Sequence, residues 1–341
     1  MSIENLEQIA QAMVAPGKGI IAIDESTNTI KKRFDSVGIE NTEENRRAYR
    51  ELLLTTPNLG DHISGAILFD ETIRQKTKDG VPFTEIMKKN GIIPGIKVDR
   101  GPVPLAGFPG DVITEGLDGL RERLKEYAQL GAQFAKWRAV INITDDNPSS
   151  TAIEANVHAL ARYAALCQEA GIVPMVEPEV VMDGADSTHD LEVSYEVHEA
   201  VLRSLFNALY EQNVMLEGTI LKISMVIPGK NAPEESQVDA EDVADATVRV
   251  LKTTVPATLP GIVFLSGGQE DTQATENLNE INKLGPHPWP VSFSYGRAMQ
   301  AEALALWAKD IKGNVDAAQK IVLERAKENG EAALGRWKKR A

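Results

Sequence analysis

The stretch "GKGIIAIDEST" (residues 17–27) decides between two folds. Its apolar run, "GIIAID" (19–24), is bounded by turn residues and reads as a buried strand. An open, doubly wound nucleotide-binding sheet would place a G-x-G-x-x-G turn after that strand. Here the glycines come first and "DEST" follows, so the open sheet loses support. Seven further runs of the same kind occur: "GAILF" (65–69), "IIPGIKV" (92–98), "FAKWRAVI" (134–141), "IVPMVEPEV" (172–180), "ILKISMV" (220–226), "GIVFLS" (261–266) and "VSFSYG" (291–296).

Helical patterns lie between them. "TEENRRAYRELLLTT" offers Thr42 as an N-cap, and "DAEDVADATVRVLKTTVP" opens on Asp239. "GLRERLKEYAQLG" and "TAIEANVHALARYAALCQEAG" end in Gly131 and Gly171, as helices closed by a left-handed glycine do. Strands alternating with helices imply parallel βαβ units. Eight of them within 341 residues predict a closed (β/α)8 TIM barrel of the α/β class. No linker or break in composition divides the chain. The expectation is one domain over 1–341, with a helical N-terminal lead-in and C-terminal helices.

Bulk composition narrows the function. The formal charge is −14, from 36 basic and 50 acidic residues, and no basic run stands out, so a nucleic-acid partner is excluded. An anionic substrate must meet a local cluster of cations against a repulsive overall field. A single cysteine, Cys167, rules out an intrachain disulfide and reads as core filler on a helix. No signal peptide or membrane-spanning segment is legible, so the expectations are a cytoplasmic location and no membrane partner.

Alternate residues of a barrel strand point inward, and catalytic groups come from the strands' C-terminal ends. Ionisable residues that build one site should therefore share parity. Lys136 and Arg138 are two apart, as are Glu177 and Glu179, and Lys97 and Asp99; Asp24 ends the first run and Lys222 sits inside the sixth. A single such pair is as well explained by a structural salt bridge. Five strands contributing charge together point to function. The ends of the last two runs carry Ser266, Gly267, Gly268, Gly296 and Arg297, which offer a hydroxyl, unobstructed backbone N–H groups and a forked cation. Loops after these strands commonly hold phosphate in this fold.

Lys222 is flanked by Leu221, Ile223 and Met225, which leaves little room for it to reach solvent. Burial, and cations such as Lys136 and Arg138 nearby, would favour the neutral amine, which attacks carbonyls to form a Schiff base. Glu177 or Glu179 would then supply acid–base catalysis. The histidines (62, 158, 189, 198 and 287) show no ligand spacing, and three cations in one interior disfavour magnesium on Asp24, Glu177 and Glu179. The expectation is no metal and no cofactor.

"GKGIIAIDEST", "IKVDRG", "FAKWRAV", "MVEPEV", "GTILKISMVIPG", "FLSGGQ" and "FSYGRAMQ" follow one another in an order that resembles the metal-independent, Schiff-base (class I) fructose-1,6-bisphosphate aldolases, over residues 17 to about 310. The resemblance implies a (β/α)8 barrel, usually homotetrameric, that cleaves fructose 1,6-bisphosphate reversibly to dihydroxyacetone phosphate and glyceraldehyde 3-phosphate. It implies Lys222 as the Schiff-base lysine, Glu177 as general acid/base and Glu179 in support. Asp24 and Lys136 would serve the C4 hydroxyl and the charge beside it. Lys97 and Arg138 would contact phosphate or hydroxyls. Ser266, Gly267, Gly296 and Arg297 would take the ketose-end phosphate, and Ser26, Thr29 and Arg33 the other.

Three departures stand out. Ile223 replaces the proline usual after the lysine. Thr29 stands where serine is usual. The chain ends "GRWKKRA", without the terminal tyrosine that assists proton transfer at the enamine carbon in many members. Two other readings stand beside this one: a Schiff-base lyase for another phosphorylated ketose, such as sedoheptulose 1,7-bisphosphate, and a non-catalytic barrel scaffold.

Overall fold

The structure, a computed structural model, describes residues 3–339. Ten strands occur in it: β1 (Gly19–Ile23), β2 (Ile63–Leu68), β3 (Ile93–Lys97), β4 (Gly101–Pro104), β5 (Val112–Glu115), β6 (Phe134–Ile141), β7 (Val173–Val180), β8 (Ile220–Ile223), β9 (Ile262–Phe264) and β10 (Val291–Tyr295). Eight close into a parallel barrel in the order β1-β10-β9-β8-β7-β6-β3-β2, so each apolar run read from the sequence holds a barrel strand. Helices connect successive barrel strands, and the fold is the (β/α)8 barrel.

Two local differences have physical causes. The sixth run predicts a strand to residue 226, but β8 stops at Ile223. Beyond it side-chain bonds replace the ladder: the Thr247 hydroxyl accepts from Val226 N at 3.0 Å, and Ser224 Oγ donates to the β7 carbonyl of Val180 at 2.8 Å. Apolar composition there records burial and not strand geometry. The second difference is the β4–β5 ribbon, antiparallel with Gly101 opposite Glu115, which periodicity did not signal. Both strands of a two-stranded ribbon are edges, so Pro102 and Pro104 are tolerated although each lacks a donor.

Helix ends follow the sequence. Thr42 Oγ1 accepts from Asn45 N at 3.1 Å, and the Asp239 carboxylate accepts from Glu241 N and Asp242 N at 3.0 Å each. Ser26 caps the helix Thr27–Val37. Gly131 and Gly171, at φ 100° and 73°, take the left-handed conformation that ends their helices.

Two apolar clusters hold the barrel. The larger lies between strands and helices and includes Trp137, Tyr163, Phe264 and Cys167, so the lone thiol is core filler. The smaller fills the barrel's N-terminal end, where Ile20, Ala22, Ile67, Phe134, Met175, Ile220 and Val263 meet Leu6, Ile9, Ala10 and Met13 of the helix Ile3–Met13. Glycines make room for the Phe134 ring: a Cβ at Gly95 would sit 2.1 Å from it. Among the described residues, no helix is long and apolar enough to cross a membrane.

Candidate active site

The inward positions change character toward the C-terminal ends of the strands. On β6 they run Phe134, Lys136, Arg138, and on β7 Val173, Met175, Glu177, Glu179. Strand register then sets charge beside charge, with Lys97 opposite Lys136 and Arg138 opposite Glu177. Lys136 Nζ lies 2.7 Å from Asp24 Oδ2 and 3.3 Å from Glu177 Oε2. The other Glu177 oxygen lies 3.0 Å from Lys222 Nζ. Lys136, Glu177 and Lys222 are all buried. The result is a chain of alternating charge, Asp24–Lys136–Glu177–Lys222, across four strand ends.

The interior charges are partnered as burial demands. Burial opposes ionisation of Asp24, but Lys136, Lys222 and Lys97 outweigh it and hold the carboxyl well below its usual range. Burial likewise opposes the charge on Lys136, and Asp24, Glu177 and Asp99 outweigh it, so this ammonium is held well above the usual lysine range. Glu177 is lowered as well, with Lys136, Lys222 and Arg138 overcoming its burial and the repulsion from Asp24. Glu179 binds the Arg138 guanidinium at two points, Nε to Oε2 and Nη2 to Oε1, the latter at 2.7 Å, and holds Arg138 firmly cationic. Lys97 Nζ lies 2.5 Å from Asp99 Oδ1, and Asp99 Oδ2 accepts from Arg138 N.

The sequence predicts cations around Lys222, but its direct partner is the carboxylate of Glu177, which separates it from Lys136. Alternating strand ends interleave the two signs, a pattern that parity alone does not reveal. Among the described residues, no group of three or more His, Cys, Asp and Glu is placed to hold a metal ion. Asp24 and Glu177 converge on Lys136, while Glu179 is turned to Arg138.

A cleft of about 350 Å³ opens over this cluster. Asp24, Lys97, Lys136 and Arg138 line it, with Ser26, Thr29, Arg33 and Gly296. Lys222, Glu177 and Glu179 lie behind that lining, reached through Lys136 and Arg138. Ser266, Gly267 and Arg297 are outside the lining. A Cβ at Gly267 would be 3.7 Å from Glu179 Oε1, and Arg297 is exposed at the start of the helix Arg297–Lys309. The family resemblance assigns Arg33 and Gly296 to different phosphates. The structure brings them together, since a Cβ at Gly296 would lie 3.7 Å from Arg33 Nη2.

The family model described as "Fructose-bisphosphate aldolase class-I" matches residues 5–341. The chain belongs to the class-I fructose-bisphosphate aldolases. It is 73% identical over 338 residues to a protein of Xanthomonas axonopodis pv. citri named "Probable fructose-bisphosphate aldolase class 1", which covers 99% of this chain and all of that one. It is 53% identical to "Fructose-bisphosphate aldolase 4, cytosolic" of Arabidopsis thaliana, over 98% of this chain and 85% of that one. A solved fructose-bisphosphate aldolase of Plasmodium falciparum, in complex with TRAP and a small-molecule inhibitor, superposes with a TM-score of 0.95 at 49% identity, covering 98% of this chain and 96% of that one. This aldolase cleaves fructose 1,6-bisphosphate reversibly through a lysine Schiff base. The other-ketose and scaffold readings are not favoured.

Two groups of buried polar residues lie outside the set that the sequence predicts for the site. Glu25 lines the cleft and pairs with Arg33 and with the buried Arg50, which a helix supplies 25 residues later. Ser294 is buried on β10 with its hydroxyl unpartnered, at the parity opposite to Phe293 and Tyr295 of the outer cluster. The first leaves no local sequence signal. The second could have been found by extending the inward-parity test to hydroxyls. Residues 340 and 341, which end "GRWKKRA", lie outside the described residues.

Proposed function

We propose that Lys222 forms the Schiff base, and the observation that carries this is the unequal pairing of the two buried lysines. Lys136 is held between two carboxylates, Asp24 and Glu177. Lys222 meets one, Glu177, at 3.0 Å. That single contact is both a path for its proton and the source of an acid. Lys222 passes its proton to Glu177 and attacks the C2 carbonyl of the open-chain ketose. As the C–N bond forms, the amine's second proton passes to the C2 oxygen; Glu177 then returns the first to the resulting hydroxyl, water leaves, and the iminium remains. Asp24 takes the proton of the C4 hydroxyl. The C3–C4 bond then breaks, its electron pair enters the enamine, and glyceraldehyde 3-phosphate departs. C3 takes up a proton, Asp24 gives up the one it took, and water hydrolyses the iminium, which releases dihydroxyacetone phosphate and regenerates Lys222.

Lys136 remains cationic throughout and stabilises charge at the C4 oxygen beside Asp24. Glu179 fixes Arg138, which with Lys97 meets substrate phosphate or hydroxyls. Ser266, Gly267, Gly296 and Arg297 take the ketose-end phosphate, and Ser26 and Thr29 the other, with Arg33 beside Gly296. The family likeness further supports a cytoplasmic homotetramer serving glycolysis and gluconeogenesis, in a single domain over 1–341.

A variant separates the two lysines. Lys136→Met should still form the covalent adduct with dihydroxyacetone phosphate, detected by intact mass after borohydride reduction. Its cleavage of fructose 1,6-bisphosphate should fall by roughly 10²–10⁴-fold. Loss of the adduct together with turnover would reassign the nucleophile.

A further inference from the structure

Glu25 follows Asp24 directly, yet no step above uses it. It is 8% exposed, lines the substrate cleft, and divides its two oxygens between two arginines. Oε1 takes Arg33 Nη1, and Oε2 takes Arg50 Nη2 at 2.5 Å. The two arginines differ in freedom. Arg50, on the helix Glu43–Leu54, is 2% exposed, leaves Nη1 without a hydrogen-bond partner, and lies 5.6 Å from the centroid of the Tyr49 ring. Buried there, Arg50 has no substitute for Glu25 in solvent. The Arg33 side chain is 28% exposed and faces the cleft.

The same network reaches the backbone of β1 and of the turn after β10. Tyr49 donates to Gln300 Oε1, and Gln300 Nε2 donates to Ala22 O at 2.7 Å and Gly296 O at 3.1 Å. Arg33 Nη2, on the branch turned from Glu25, is the atom nearest the open side of Gly296 among the guanidinium atoms facing it. One carboxylate thus serves two guanidinium groups, one buried and one facing the cleft.

We propose that Glu25 is a positioning residue for the aldol reaction. Anchored by Arg50, it holds the Arg33 guanidinium beside Gly296, so that the branch left free receives a phosphate of the substrate. The inference rests on the reading of Arg33 as a phosphate ligand. An arginine ordered in advance does not lose its rotamer freedom on binding, which is worth on the order of tenfold in affinity.

The test is a double-mutant cycle on kcat and KM for fructose 1,6-bisphosphate, with Glu25→Gln, Arg33→Met and both together. Glu25→Gln should raise KM about tenfold with kcat within twofold, and should change KM by less than twofold once Arg33 is methionine. Circular dichroism verifies that each variant is folded. Should Glu25→Gln fail to fold, Arg33→Lys decides: it keeps the charge but loses the fork that binds Glu25 and phosphate together, so its KM should match that of Arg33→Met. An equal effect of Glu25→Gln in both backgrounds, a fall in kcat alone, or a wild-type KM for Arg33→Lys overturns the proposal. If Arg33→Met raises KM and Glu25→Gln does not, the role of Glu25 alone fails. If Arg33→Met leaves KM unchanged, the reading of Arg33 fails with it.

Discussion

Inward side chains on β1 run from Ile20 through Ala22 toward Asp24, on β6 from Phe134 to Lys136 and Arg138, and on β8 from Ile220 to Lys222. The same strands thus build an apolar plug at one end of the barrel and an ion cluster at the other. The plug, with the helix Ile3–Met13 against it, gives the ions a dry floor. Low polarity beneath them strengthens each ionic contact and equally penalises any charge left alone. That is why Asp24, Lys136, Glu177 and Lys222 occur as a continuous alternating chain. Such a chain is a weak source of stability, since well-packed apolar residues would do as well. The lower end accounts for folding and the upper end for chemistry.

The largest expected effect on stability therefore belongs to the plug. Phe134 is fully buried, with its ring against Gly65 and Gly95. Phe134→Ala should lose about 3–5 kcal/mol in urea unfolding, while kcat in the folded variant stays within a few-fold. A kcat that collapses while stability is retained would break the comparison.

A smaller effect comes from a buried group with no charged partner. His198, on the helix Leu191–Glu211, is completely buried, its Nδ1 2.7 Å from Ser194 O, and burial pushes its pKa down to about 4. The unfolded chain takes up the proton near the ordinary 6.5, so His198 costs nothing above that pH and progressively destabilises the fold as pH falls from 6.5 toward 4. At about 1.4 kcal/mol per pH unit, the cost reaches on the order of 3 kcal/mol. His198→Gln should flatten the loss of stability between pH 7 and 4 relative to the parent, measured by urea unfolding at each pH. Parallel curves would show that the histidine is not kept neutral.

Much of this was legible in the sequence because strands have a period of two. Eight apolar runs predicted eight barrel strands, and the parity of Lys136 with Arg138 and of Glu177 with Glu179 predicted one charged interior. Thr42 and Asp239 were readable as caps because capping is local. What remained hidden depends on register and distance. Which carboxylate meets which lysine follows from strand pairing. Arg50 reaches Glu25 from the helix Glu43–Leu54, 25 residues on, a contact that only tertiary packing makes. The β4–β5 ribbon has too few apolar residues for a periodic signal, and the end of β8 is set by Thr247, 25 residues beyond Lys222.

The central claim is that Lys222 is the nucleophile. Borohydride reduction in the presence of dihydroxyacetone phosphate, followed by proteolysis and mass spectrometry, tests it directly. The account predicts one adduct per chain, on the peptide containing Lys222, and none in Lys222→Met, whose cleavage activity should fall by at least about 10⁴-fold. An adduct on Lys136, or one that persists in Lys222→Met, would contradict it.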